Sequence, residues 1–147
     1  MKRIYPFPIK TPLQHACVCS NNDAVGLLLD LGADPYFGSK EIIFFEMEKR
    51  DKMKIFTMFE FTSTILVLSI VKQNFELTKF LLDRDIEDID SDAFAIACYL
   101  GDIKTARLLA SKSKIPMEKV RSISANISSG GVTQHPDVAM FLCEILE

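Results

Sequence analysis

Three groups of side chains in this sequence have the types that could do chemistry. His15, Cys17 and Cys19 lie close together, and imidazole with thiolate is a zinc donor set. Their stretch has a helical pattern, however, and residues two apart on a helix point in different directions. No second ligand pair follows at suitable spacing, so helix packing is the simpler expectation and no metal is expected. The run Asp83, Asp85, Glu87, Asp88, Asp90 and Asp92 raises calcium. A calcium loop needs Gly at its sixth position and Glu at its twelfth, and the run has neither. It reads as a solvated hairpin between helices, with charges that would also help a cationic partner dock. The third group is a Cys–His nucleophile, for which the only histidines are His15 and His135. No G-x-S-x-G, H-E-x-x-H or phosphate-cradling Gly loop accompanies them, and Gly130-Gly131 is an isolated pair suited to a turn. No catalytic residue, no cofactor and no enzymatic activity are expected.

The elements that would position these side chains are helical. Ala24, Leu27, Leu28 and Leu31 follow the i, i+3, i+4, i+7 pattern, as do Val138, Phe141, Leu142 and Ile145. Leu77, Phe80 and Leu81 share a face, and so do Ile103, Ala106 and Leu109. Each segment is too short to be stable alone in water. Each is preceded by another apolar segment across a short polar break: Ser20-Asn21-Asn22, Lys72-Gln73-Asn74, Gly101-Asp102 and the stretch 128–134. Helix, turn, helix and loop therefore recur four times, with helix pairs expected at Thr11–Leu31, Thr64–Asp83, Asp92–Ala110 and Met117–Leu146. That is the grammar of a helical solenoid.

Thr11-Pro12-Leu13-Gln14-His15-Ala16 resembles the T-P-L-H-x-A opening of an ankyrin repeat, with the His one place late. Leu27-Leu28-Leu29-Asp30-Leu31-Gly32-Ala33-Asp34 resembles the family's L-L-L-x-x-G-A-D close, in register with that opening. The pattern has mechanical reasons: Thr caps the first helix, Pro stands where a missing N–H is harmless, and Gly32 ends the second helix in a left-handed conformation. The later repeats are degenerate. The spacing from Thr11 to Thr64 exceeds the family period of about 33 residues, and that from Thr64 to Asp92 falls short of it. The excess lies in 38–63, an insert dense in aromatics with a charged middle. Ile42, Phe45 and Lys49 fit one helical face, so the insert is expected to add a helix, either as extra core or as a partner-binding element.

The expected fold is thus all-α: an ankyrin-type solenoid of about four helix pairs with a helical insert after the first. The single domain would hold repeats near 7–37, 60–87, 88–114 and 115–147 and the insert at 38–63. The resemblance implies a non-catalytic module that binds another protein through a concave surface. The positions it marks are Phe7, Lys10, Val18 and Cys19 in the first repeat; Glu60, Phe61, Ser63, Val71 and Lys72 in the second; and Asp88, Ile89, Ser91, Tyr99 and Leu100 in the third. Tyr99 and Leu100 with Val71 and Lys72 are expected at its centre, with Tyr99 exposed as a hot spot. Alternatives are a pathogen or viral effector, or a fragment of one, that captures a host protein beside a catalytic domain outside this chain, and a small enzyme on a helical fold.

Bulk properties narrow the partners. At 147 residues, 48% hydrophobic and 25% charged, the chain has the composition of a folded domain. Its net charge of −3 gives no electrostatic case for nucleic acid. Ile55 to Val71 is the one stretch that raises a membrane span, but it carries Glu60 and several Ser and Thr, so no membrane insertion is expected. Cys17, Cys19, Cys98 and Cys143 contain no C-x-x-C pair and are expected to be reduced thiols in the cytosol, or in a host's cytosol for an effector. Asn126-Ile127-Ser128 is a formal glycosylation sequon, relevant only in the secretory pathway.

Overall fold

The computed structural model describes residues 9–48, 54–127 and 135–146, with backbone alone at 46–48 and 54–57. Among them are eight α-helices: α1 (Pro12–Val18), α2 (Asn22–Asp30), α3 (Ile65–Val71), α4 (Phe75–Asp83), α5 (Asp92–Leu100), α6 (Ile103–Lys112), α7 (Met117–Ile127) and α8 (Pro136–Leu146). The described residues are mostly helical, as periodicity led one to expect, and α6 runs past the expected end at Ala110 to Lys112.

The local chemistry of α1 follows the sequence. Thr11 is extended at φ −133°, and its Oγ1 accepts a hydrogen bond from the Gln14 N–H at 3.1 Å, with Pro12 opening the helix. At α2, α4 and α6 the cap is Asn21, Asn74 or Asp102, each accepting from the N–H three residues on. Helix ends recur as well. At the close of α2, the Gly32 N–H donates to the Leu29 carbonyl and the Ala33 N–H to that of Leu28, the Schellman pattern. The same pair of bonds closes α4 at Asp85 and Ile86, α1 at Ser20 and Asn21, α3 at Gln73 and Asn74, and α5 at Gly101 and Asp102. The left-handed residue is glycine only at Gly32 and Gly101; Ser20, Gln73 and Asp85 take φ near +60° without it. At Gly101 glycine is required twice over, because a Cβ would collide with the His135 ring.

Packing runs along the chain. α1 rests on α2 and α3, α3 on α4 and α5, α5 on α6 and α7, and α7 on α8; α4 meets α6 and α6 meets α8. The core threads through these contacts: Cys17, Val25, Leu66, Ile70, Leu77, Leu81, Phe94, Leu109, Val120 and Leu142 are buried. Every residue of α5 is buried, the signature of a helix covered on all sides. Polar groups inside are matched. Ser69 Oγ donates to the Leu66 carbonyl and meets Thr78 Oγ1 at 2.8 Å. No helix of the described residues is long and apolar enough to cross a membrane.

Two expectations are corrected. The insert is not a helix. It is an antiparallel hairpin of β1 (Lys40–Glu48) and β2 (Lys54–Thr62), in unbroken register from Lys40 opposite Thr62 to Glu48 opposite Lys54. Its runs of Ile and Phe alternate between two faces, and β-branched and aromatic residues favour a pleated surface over a helix. The fold is therefore mostly helical with a small sheet rather than all-α. The second correction concerns α2, whose apolar stripe is only partly buried. Val25 is covered, Leu28 is half-buried, and Leu27 and Leu31 are 60% and 75% exposed. α2 stands at the end of the row of helices, so its main cover is α1. Leu28→Ala is accordingly expected to cost about 1–2 kcal/mol, below the range for a fully buried leucine, because the side chain already keeps part of its surface in water. A urea midpoint shifted as far as that of a core truncation such as Leu81→Ala would contradict this.

Candidate interaction surface

The first helices of the successive pairs, α1, α3, α5 and α7, pack side by side, and the hairpin lies over part of the face they make. On its inner side Ile43, Phe45 and Phe61 are buried and Phe59 is half-buried. The Tyr99 ring of α5 sits beneath them, 5.1 Å from Phe45 and 5.6 Å from Phe59 between centroids, and Phe59 stacks on Phe61 at 6.4 Å. Lys119 of α7 places its ammonium 5.1 Å from the Phe59 ring centre. The Tyr99 hydroxyl accepts a hydrogen bond from Asn126 Nδ2 at 2.8 Å. Burial raises the Tyr99 pKa, against the lowering effect of that bond.

Tyr99 and Leu100, at 3% and 5% exposure, thus offer a partner no surface. The expectation of an exposed Tyr99 is corrected: the insert itself fills the place assigned to a partner. Phe61 and Ser63 are buried for the same reason, and Ser91 is buried at the start of α5. Of the other marked positions, Lys10, Cys19, Glu60, Lys72 and Ile89 are exposed, and Val18, Val71 and Asp88 are half-buried. Phe7 lies outside the described residues. Ser63 keeps a structural role: its carbonyl accepts from Nε2 of buried Gln14 at 3.1 Å, and Gln14 Oε1 accepts from the Lys10 N–H. Gln14, not His15, stands at the histidine position of the T-P-L-H-x-A pattern, and it ties α1 to the segment leading into α3.

Two exposed apolar groups lie outside the positions that the resemblance marks for a partner. One is the outer side of the hairpin, with Ile42 at 44% and Met58 at 62% exposure beside half-buried Phe44. The other is Leu27 and Leu31 on α2 with Phe80 on α4, beside the Arg84–Asp30 ion pair at 2.7 Å. The β-branched and aromatic runs within 40–48 and 54–62 were the available signal for the first. The second was hidden because a repeating stripe looks the same at the end of a helix row as in its middle.

The acidic run is structural in part. Asp88 accepts from the Ala93 and Phe94 N–H groups at 2.8 and 2.9 Å, capping α5. Asp92 accepts from the Thr62 N–H at 3.0 Å and lies 3.6 Å from Lys119, fastening β2 to α5 and α7. Burial is the largest influence on both and raises both pKa values. Asp88 moves from 3.8 to about 6 despite the two backbone bonds and Lys119; Asp92 is itself raised against its Thr62 bond. An acid with a raised folded pKa binds protons in the fold that the unfolded chain does not. Stability from this source is therefore gained as pH falls from neutral through about 6 and lost again as pH rises. Asp88→Asn should reduce the gain in urea midpoint between pH 7 and pH 5, leaving the part due to Asp92. An unchanged gain would show that Asp88 titrates normally.

His15 Nε2 and Cys19 Sγ lie 3.6 Å apart, but both are exposed i, i+4 neighbours. Cys17 and Cys98 are buried, and burial pushes both thiols up to about 12; Cys19 and Cys143 are exposed. Thiolate is the reactive form. Iodoacetamide should therefore modify Cys19 and Cys143 in the folded chain and reach Cys17 and Cys98 only after denaturation. Four equally fast thiols would contradict the burial. Among the described residues no three His, Cys, Asp or Glu side chains gather as a metal site.

Comparison with known proteins adds one family. The ankyrin repeat model matches residues 9–37, which span α1, α2 and the turn that follows. No curated protein and no solved structure matches the chain. Ankyrin repeats in general are non-catalytic modules that bind other proteins.

Proposed function

With an ankyrin repeat at residues 9–37 as the premise, we infer that the chain is a non-catalytic protein-interaction module built as an ankyrin-type solenoid of four helix pairs. In this reading the repeats lie near 7–37, 60–87, 88–114 and 115–147, with the insert at 38–63. The support is geometric: α3–α4 and α5–α6 repeat the α1–α2 turn, with the same pair of closing bonds before each second helix. Degenerate sequence and recurrent geometry are compatible because Ser20, Gln73 and Asp85 adopt the left-handed turn conformation that Gly32 and Gly101 supply elsewhere.

The observation that carries the partner surface is the roofing of Tyr99 by the hairpin. The inner helices keep Lys10, Val18, Cys19, Val71 and Lys72 accessible or partly so, with Ile89 beside α5, while the hairpin presents Ile42 and Met58 outward. A partner protein would meet this composite face, an apolar centre rimmed by Lys40, Glu60 and Lys72. Buried unpaired thiols at Cys17 and Cys98 suit a reducing compartment, and the cytoplasm is the proposed site of action.

The test is affinity capture with paired surface variants. Met58→Glu with Lys72→Glu should abolish capture of the bound protein, while Leu27→Glu with Leu31→Glu on α2 should leave it intact. Equal capture by all three chains, each folded by circular dichroism, would refute this surface.

A further inference from the structure

We propose that His15 and Cys19 are one half of a tetrahedral zinc site, completed by the same two side chains of a second copy of this chain. The Cys19 N–H donates to the His15 carbonyl at 3.0 Å. Cys19, although it caps α1, therefore stands one helical turn beyond His15 on the same face. His15 Nε2 and Cys19 Sγ face each other at 3.6 Å, and both side chains are exposed. In a tetrahedral site, zinc bonds of about 2.0–2.1 Å to imidazole and about 2.3 Å to thiolate hold the two donor atoms about 3.5–3.6 Å apart. The pair is thus already set at the bite of the metal, and small side-chain rotations let one ion take both donors. Packing of the repeat does not demand the pair. The matching positions of α3 are Leu68 and Lys72, joined by the same backbone bond.

A structural zinc ion needs two more donors. The residues outside the described ones contain neither His nor Cys. Cys17 and Cys98 are buried, His135 meets the Tyr99 carbonyl at the end of α5, and Cys143 lies on α8, the last helix of the row. Among the described residues no third His, Cys, Asp or Glu joins the pair. A second copy brings the missing imidazole and thiol. Two imidazoles with two thiolates are a common structural zinc set, and the two thiolates cancel the charge of one Zn²⁺, so the shared site is neutral. Each thiol gives its proton to solvent as its sulfur bonds to the metal. The contact is isologous, with the ion on the two-fold axis, and closes as a dimer. It does not rest on the capture of another protein, because its stoichiometry is read on this chain alone.

The test is zinc titration of the whole chain with its thiols reduced, read by equilibrium dialysis and light scattering. The wild type should hold one zinc per two chains and form a dimer that a chelator returns to monomer. Cobalt in place of zinc should give a sulfur-to-metal charge-transfer band and the strong visible bands of a tetrahedral site. Zinc should also slow iodoacetamide at Cys19 and leave Cys143 as reactive as before. His15→Ala and Cys19→Ser, both at exposed positions, should each keep the metal-free melting temperature and lose the zinc-dependent dimer. Cys143→Ser should behave as wild type. A wild type that retains no zinc would overturn the proposal. So would one zinc per chain on a monomer, or a zinc-dependent dimer that survives His15→Ala or Cys19→Ser.

Discussion

Phe94→Ala is expected to destabilise the chain by about 3–5 kcal/mol, the largest effect of any single truncation considered. The ring is fully buried in α5, with the Phe141 ring of α8 6.4 Å away. α5 in turn packs on α3, α6 and α7, so the cavity opens where several elements meet and none can collapse alone to fill it. Domains of this size have about 5–15 kcal/mol in total, so the variant should lie near the edge of folding at ambient temperature. Phe94→Leu, which restores most of the volume, should recover much of the loss. A Phe94→Ala midpoint within error of wild type would mean that α5 is not the centre of the core.

Tyr99→Ala is expected to cost about 3–4 kcal/mol, in the range for loss of a buried aromatic. It takes away the ring on which Phe45 and Phe59 rest and the hydroxyl that Asn126 donates to. Its signature is local. Amide exchange over Lys40–Phe45 and Phe59–Thr62 should accelerate more than exchange in α2 or α8, because the hairpin loses its floor before the helices lose their contacts. Tyr99→Phe keeps the ring and should cost only about 1 kcal/mol, the net value of one hydrogen bond. Were Tyr99 an exposed contact residue, the alanine variant would melt like wild type and the hairpin amides would not change.

That contrast shows what the sequence carried. The second helices α2, α4 and α6 were legible because each combines a 3.6-residue apolar period with a capping residue, Asn21, Asn74 or Asp102, and these act locally. Thr11, Pro12 and Gly32 mark one repeat openly. The later turns keep the same closing bonds with Asp85 where the first repeat has Gly32 and Gln73 where it has Ser20, so geometry persisted where the motif faded. The hairpin was not legible because Ile42, Phe45 and Lys49 satisfy a helical spacing, while Ile42 to Phe45 form a continuous apolar run without strand-type alternation, which periodicity alone does not tell from a helix.

The site was less legible for a related reason. Exposure of Tyr99 was inferred from its place at the end of a first helix, and that inference holds only if nothing covers the helix. What covers it is a segment more than thirty positions earlier, and no local rule reports such a contact. The same distance hides the roles of Asp92, which fastens β2 through the Thr62 N–H, and of Gln14, which reaches Ser63. Leu27 and Leu31 show the converse: their pattern promised burial that only another neighbour could supply.

The central claim is that the hairpin replaces part of the inner helical face as the surface offered to a partner protein. Hydrogen exchange on the chain alone and with its captured partner measures this most directly. Added protection is expected over Lys40–Phe44, Met58–Thr62 and Val71–Lys72, with α6 and α8 unchanged. Protection confined to α2 and α4 around Leu27, Leu31 and Phe80, with the hairpin amides unaltered, would contradict it.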